Sequence, residues 1–219
     1  MVELHEAQVL LDPKPLPLEM GIHRLTSGQL HVAARTDMYG CKGEMFEWWF
    51  RFAPDTQQYA WWHPLDHVSS AWRETNPRTF IGSTHVVEEK LGGDEVLKLH
   101  IRFEDPAVTF GEDAVRAARG QGHVSALVCG HVGFGDDFPR DDAGRPIGGR
   151  LAHVARDTEW GMVLRSRFWL GIGAPDPVPD EAGLGLMQHA YTEFHYLSKF
   201  LPSLYIAENR GAVEPPFPW

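Results

Sequence analysis

His189 and Glu193 stand four residues apart in the stretch Gly183–Leu201, where Leu186, Ala190, Phe194 and Leu197 recur at helical spacing. Residues four apart project from one face of a helix. An imidazole and a carboxylate presented in this way can reach the same cation. Such pairs are also common on wet helix surfaces, so this one becomes a candidate site only if other parts of the chain bring matching donors.

Two other stretches do. Tyr59-Ala60-Trp61-Trp62-His63-Pro64-Leu65-Asp66-His67 carries two histidines within about one helical turn. Pro64 suits the first position of a short helix over Leu65–Trp72, with His63 as its cap. His67 would then point inward, its second ring nitrogen held by Asp66 or Asp55. In the strand-like stretch Thr79–Leu91, His85, Val87, Glu89 and Leu91 share one face. Lys90 calls for solvent on the opposite face, which favours Glu89 over Glu88 as the inward carboxylate. An inward carboxylate between Val87 and Leu91 is costly unless a cation or a donor meets it. His67, Glu89, His189 and Glu193 together offer two imidazoles and two carboxylates. That set suits Zn²⁺ with one position left for water, and its carboxylates also admit Mn²⁺ or Fe²⁺.

The rest of the chain must position these groups. At 219 residues it suits one moderate domain, and 8 Trp, 12 Phe and 5 Tyr favour an aromatic-lined interior. A net charge of −10 argues against a nucleic-acid surface. No apolar run approaches the ~20 residues of a bilayer span, so no membrane role is expected. Only Cys41 and Cys129 are present, neither in a CxxC, which suits a reducing, cytoplasmic setting better than a disulfide framework. Residues 1–40, with Pro13, Pro15 and Pro17 and one short strand at Gln29–Ala33, read as an N-terminal extension for packing or dimer contact.

The aromatic run Met45–Phe52 has strand composition. Pro54-Asp55 opens a short helix to Trp62. Thr79–Leu91 and Glu95–Phe103 form a hairpin across Gly92-Gly93-Asp94. His123–Val132 is a further strand, residues 136–149 a loop, and Leu151–Arg156 pairs with Trp160–Leu170. Ala174–Asp180 is a rigid linker into the last helix. This order predicts an α+β fold in which a curved antiparallel sheet surrounds a long C-terminal helix, with a ligand cavity between them. The main domain would span residues 41–205 and a tail residues 206–219.

Trp61-Trp62-His63-Pro64-Leu65-Asp66-His67, the turn Glu88–Gly93 and His189-Ala190-Tyr191-Thr192-Glu193 resemble the phloretin hydrolase / 2,4-diacetylphloroglucinol hydrolase family over about residues 44–205. The resemblance implies a Bet v 1-like (START-like) helix-grip fold and zinc held by His67, Glu89, His189 and Glu193. It implies hydrolysis of the carbon–carbon bond between an acyl group and a polyhydroxylated aromatic ring in a small phenolic ketone. Tyr59 would bind the phenol. Ser70 stands where the family carries a longer Asn at the substrate, and the N-terminal, dimer-forming part looks shortened.

The implied reaction needs a nucleophile, which zinc supplies by lowering the pKa of water towards ~7. It also needs a general acid/base beside the ring, because a ring carbon leaves poorly unless protonated. His131 and His153, both on strands, are the candidates for that role. Glu89 or Glu193 would relay the water's proton, and Trp48, Trp62, Trp169 and Phe194 would wall the ring. The rival readings are a metal-dependent hydrolase of another diketone, a non-catalytic carrier of hydrophobic ligands, and a closed structural zinc site.

Overall fold

A single antiparallel sheet of eight strands curves around one long helix in the computed structural model, which describes residues 1–211. In chain order the elements are a 3₁₀ helix (Leu4–Leu11), β1 (Gly21–Arg24), β2 (Leu30–Tyr39), α1 (Gly43–Phe52), α2 (Thr56–Trp62), β3 (His67–Arg73), β4 (Thr84–Lys90), β5 (Val96–Glu104), α3 (Pro106–Phe110), α4 (Glu112–Gly120), β6 (Ala126–Phe134), β7 (Gly149–Thr158), β8 (Gly161–Leu170) and α5 (Asp180–Glu208). The spatial order is β1-β2-β8-β7-β6-β5-β4-β3, so β3 is an edge. The expected α+β helix-grip architecture is therefore what the chain adopts.

The sheet buries both faces. Alternate residues of β6 show this: Ala126, Val128 and Val132 join the large inner core, whereas Leu127 and Cys129 join a second cluster on the outside. The inner core includes Leu186, Ala190, Phe194, Leu197 and Leu201 of α5, the helical stripe legible in the sequence. The outer cluster is covered by Val2, Ala7, Leu10 and Leu11 from the N-terminus and by Phe110 and Ala118 from α3 and α4. β8, covered on both sides, is buried at all ten positions.

Several expectations are corrected. Met45–Phe52 is helix, not strand. Its aromatics have high β propensity, but α1 buries Met45, Phe46, Trp48, Trp49 and Phe50, most of its circumference, and that packing decides the conformation. The helix expected over Leu65–Trp72 is strand β3. Pro64 lies in a turn after α2, and His63 is the C-terminal cap of α2, not the N-terminal cap of a new helix. The helix before it follows its signals: Asp55 accepts from the Gln58 N–H, and Gln58 Oε1 accepts in return from the Asp55 N–H.

The N-terminal segment is more than an extension. β2 pairs along its whole length with β8, so a division at residue 40 would cut the sheet. Residues before Gly21 lie outside it. They are strapped to its outer face by Glu19, whose carboxylate meets Arg165 at 2.8 Å and Arg167 at 3.1 Å. The expected tail falls partly within α5, which continues to Glu208, and residues 212–219 lie outside the described residues. Among the described residues no helix is long and apolar enough to cross a membrane.

Candidate metal centre

β3 opens with His67, whose register partner on β4 is Glu89. The pairing is irregular between His67 and Ser69, where the strand edge bends. Two residues past Lys90, the β4–β5 turn brings Gly92 (φ 83°) against Gly185 in the first turns of α5. A side chain on either glycine would overlap the other's backbone. This backbone-to-backbone approach sets α5 directly over the hairpin, and one turn further on His189 reaches the edge formed by His67 and Glu89.

The four residues singled out in the sequence converge there. His67 Nε2 lies 3.3 Å from His189 Nε2, 3.6 Å from Glu89 Oε2 and 3.7 Å from Glu193 Oε2. His189 Nε2 lies 3.9 Å from Glu89 Oε2. All four side chains are buried.

Both imidazoles have their other nitrogen engaged. His67 Nδ1–H donates to the Tyr59 carbonyl at 2.8 Å, and His189 Nδ1–H donates to Asp66 Oδ2 at 3.1 Å. The Nε2 atoms therefore face each other and the carboxylate oxygens. Asp66 was one of two groups expected to hold His67; it holds His189 instead, and Asp55 caps α2. His63 backs the arrangement: its ring stacks on His189 at 4.8 Å and 3°, and its Nε2 lies 3.3 Å from Asp66 Oδ2.

A cation fits this donor set. A buried cluster of imidazole nitrogens and carboxylate oxygens, met by the Tyr59 hydroxyl at Glu89 alone, is unfavourable on its own and favourable around a positive charge. His67, Glu89 and His189 each offer one atom within 4.8 Å of the others, the spacing of ligands on one ion. The titration behaviour points the same way. Burial, with His189 beside it, pushes the His67 pKa down to about 2 and keeps it a neutral donor. Burial raises Glu193 to about 8, against the pull of His189 and with a contribution from Glu89. Burial opposes the charged form of His189, yet Asp66, Glu89 and Glu193 together raise it to about 9: without an ion the cluster draws a proton onto His189, and a bound cation would take that proton's place. The hydrogen bonds to Asp66 and Tyr59 are the outer contacts that orient metal-binding imidazoles.

The centre opens on a cavity of about 300 Å³ between the sheet and α5. Glu89, His189 and Glu193 reach its wall, with Tyr59 and His85 beside them. Trp62, Phe194, Phe168 and Phe103 supply aromatic walls and Leu97, Leu99 and Leu186 aliphatic ones. A mostly apolar chamber with a few polar groups on its wall, His153 and Arg150 of β7 among them, has the composition of a small-molecule site.

Other expected site residues divide. His153 lines the cavity, edge-on to Phe194 at 5.0 Å, with Nδ1 2.9 Å from Ser166 Oγ; burial lowers its pKa to about 3. His131 is not brought to the cavity. It alternates onto the outer face of β6 and bonds Glu104 at 2.9 Å in a cluster with Arg145 and Arg150. Tyr59 lies at the centre, but its hydroxyl donates to Glu89 Oε2 and its ring stacks on His67 at 3.6 Å. Ser70 lies outside the cavity lining. Of the expected aromatic walls, Trp62 and Phe194 are in place. Trp48 packs on Tyr205 in the core, and Trp169 faces outward, its N–H bonded to the Val2 carbonyl. Sequence reading missed His85 as a site residue, although it shares the Glu89 face of β4.

The chain is similar to known proteins along most of its length. The chain is 29% identical over 227 residues to a 2,4-diacetylphloroglucinol hydrolase from Pseudomonas sp, covering 90% of this chain and 74% of the relative. It is 27% identical over 222 residues to the phloretin hydrolase of Eubacterium ramulus, covering 87% and 72%. Among solved structures, that of Ara h 8.0201 aligns with a TM-score of 0.47 at 12% identity, covering 84% of this chain and 99% of that one. The family model described as the DAPG hydrolase PhiG domain matches residues 2–206, and the chain belongs to that family.

Proposed function

We propose that this chain is a zinc-dependent hydrolase that cleaves the carbon–carbon bond between an acyl group and a polyhydroxylated aromatic ring, releasing a phenol and a carboxylic acid. The observation that carries the reading is the buried His67–Glu89–His189–Glu193 cluster opening on an aromatic cavity. The names of the relatives supply the substrate class, phloretin and 2,4-diacetylphloroglucinol. Two imidazoles and two carboxylates favour zinc over Mn²⁺ or Fe²⁺.

A divalent ion held there supplies Lewis acidity, polarising an acyl carbonyl and making water nucleophilic near neutral pH. The protein's own groups do the rest. Trp62 and Phe194 exclude water around the ring and orient it. The Tyr59 hydroxyl, bonded to Glu89, fixes that carboxylate oxygen, and Glu89 or Glu193 accepts the proton of the attacking water. The leaving ring carbon must depart protonated. His153, on the cavity wall, is our candidate for passing a proton from a ring hydroxyl to the leaving ring carbon as the polyhydroxylated ring tautomerises. The two cysteines are free and buried, which fits the cytoplasmic setting read from the sequence.

Metal analysis combined with steady-state assays on phloretin, acylphloroglucinols and simple diketones tests the reading. About one zinc per chain, lost together with phloretin cleavage in His189→Ala, supports it. A metal-free chain that binds aromatics equally well with and without His189 identifies a carrier instead. Cleavage of simple diketones alone identifies a different hydrolase.

A further inference from the structure

Ser70 cannot serve as a substrate contact, because its hydroxyl is already committed. Its Oγ–H donates to the Pro54 carbonyl at 2.8 Å, so the oxygen is left only to accept, and it accepts from His85 Nε2 at 2.8 Å. The Ser70 backbone is fixed as well. Its N–H donates to Thr56 Oγ1 at 3.1 Å, and the Thr56 hydroxyl donates to the Ser70 carbonyl at 3.2 Å. Ser70 is therefore pinned to the start of α2 and holds His85 in a single tautomer.

A neutral imidazole carries one N–H and one lone pair. With its proton on Nε2, His85 has its lone pair on Nδ1, and that atom has no hydrogen-bond partner among the described residues. The ring cannot turn to find one. It stacks on Trp72 at 4.1 Å and 14°, and the Tyr59 ring stands edge-on to it at 5.3 Å and 79°. Trp72 is locked in turn, its N–H bonded to the same Pro54 carbonyl at 3.1 Å. His85 also lines the cavity, where Tyr59 and Glu89 lie. A rigid, buried acceptor on the wall of a largely apolar chamber calls for a donor from the ligand.

We propose that His85 is the specificity-determining contact for the aromatic ring: its Nδ1 accepts a hydrogen bond from a phenolic hydroxyl of the ligand, and Ser70 is the positioning residue that keeps the lone pair there. This rests on reading the cavity as a site for phenolic ketones. A ring without hydroxyls leaves the acceptor buried and unmet, so the pocket selects hydroxylated rings by penalty as well as by attraction.

The test is binding of two ligands of one skeleton, phloretin and the dihydrochalcone that lacks all ring hydroxyls, followed by tryptophan fluorescence with metal content measured in parallel. The wild type prefers phloretin by about tenfold or more, the cost of one unmet buried acceptor. His85→Phe keeps a flat ring against Trp72 and loses most of that preference with metal content unchanged. Ser70→Ala narrows the preference and Ser70→Thr restores it, a rescue that a merely structural Ser70 would not give in the ratio. A preference unchanged in His85→Phe or in Ser70→Ala, with metal retained, overturns the proposal. If His85→Phe does not fold, the Ser70 pair decides. A wild type that binds both ligands equally also overturns it while leaving hydrolysis of acylphenols untouched. A wild type that prefers phloretin through His85 yet cleaves no acylphloroglucinol overturns the hydrolase reading and leaves this one standing.

Discussion

The Nε2 atoms of His67 and His189 lie 3.3 Å apart although the residues are 122 positions apart in the chain, and each ring's Nδ1 is held by a different kind of acceptor. The Tyr59 carbonyl holding His67 is backbone, which a side-chain substitution cannot remove. The Asp66 carboxylate holding His189 is a side chain, and it is partly exposed. Asp66→Asn therefore weakens one ligand selectively. Metal affinity or activity is expected to fall about 10–100-fold with the fold intact, measured by competition with a chromogenic chelator and by circular dichroism. Wild-type affinity in the variant would remove Asp66 from the centre.

Tyr59→Phe separates the two jobs assigned to that residue. The ring still stacks on His67, but Glu89 loses its hydroxyl donor. If the hydroxyl fixes the carboxylate, zinc affinity falls by about tenfold, the value of one charge-assisted bond. If it serves the substrate, KM rises and zinc affinity stays. Titrating metal before measuring kinetics distinguishes the two.

Gly185→Val tests the approach of α5 to the hairpin. The new side chain meets the Leu91 carbonyl and Gly92, both backbone, and neither can move aside cheaply. The helix must shift off the turn, carrying His189 and Glu193 away from Glu89. Metal affinity should drop by more than tenfold, whereas Leu184→Val, at an exposed neighbouring position, should leave it unchanged.

Zinc bound to the native chain alone should raise its stability. At about a hundred times the dissociation constant the gain is about 2.7 kcal/mol. For a domain of this size that is about 5–10 °C in Tm, lost on adding a chelator and absent in His189→Ala. Scanning calorimetry with and without chelator measures it.

Acid should destabilise the protein through histidines remote from the metal. His31, fully buried beside Trp169, has its pKa lowered to about 4, mainly by burial and then by Arg167, while an unfolded histidine titrates near 6.5. The unfolded chain therefore binds the proton first. The stability His31 contributes is complete above pH 6.5 and is lost as pH falls from 6.5 through 4. His31→Leu should lose about 2 kcal/mol less than the wild type between pH 7.5 and 5, read from urea midpoints.

Local signals made much of the molecule legible. The stripe Leu186–Leu197 marks α5, and the Gly92-Gly93-Asp94 turn marks the β4–β5 hairpin with Glu89 on its inner face. The misreadings have physical causes. In α1 tertiary burial overrode the strand preference of Trp and Phe, and at Pro64 a signal for a helix start was in fact a turn. α3 and α4 went unread because each is short and buries little: only Pro106 and Phe110 in one, Ala118 in the other. Within the centre, ligand types could be inferred from spacing, but their supports could not. Asp66 meets His189 across 123 positions, and the lone pair of His85 depends on a serine bound to a proline carbonyl. Contacts of that kind arise only when distant strands come into register.

The span of the ligands also fixes when the centre can exist. His67 and Glu89 lie on an edge strand and its neighbour, and their partners arrive on α5, which is synthesised about a hundred residues later. Until that helix docks, the nascent edge exposes an imidazole and a carboxylate that cannot hold an ion by themselves, so metal loading would be a late event in the life of each chain. An ion bound there would stitch the β3 edge, one of the two free edges of the sheet, to the helix that the sheet encloses.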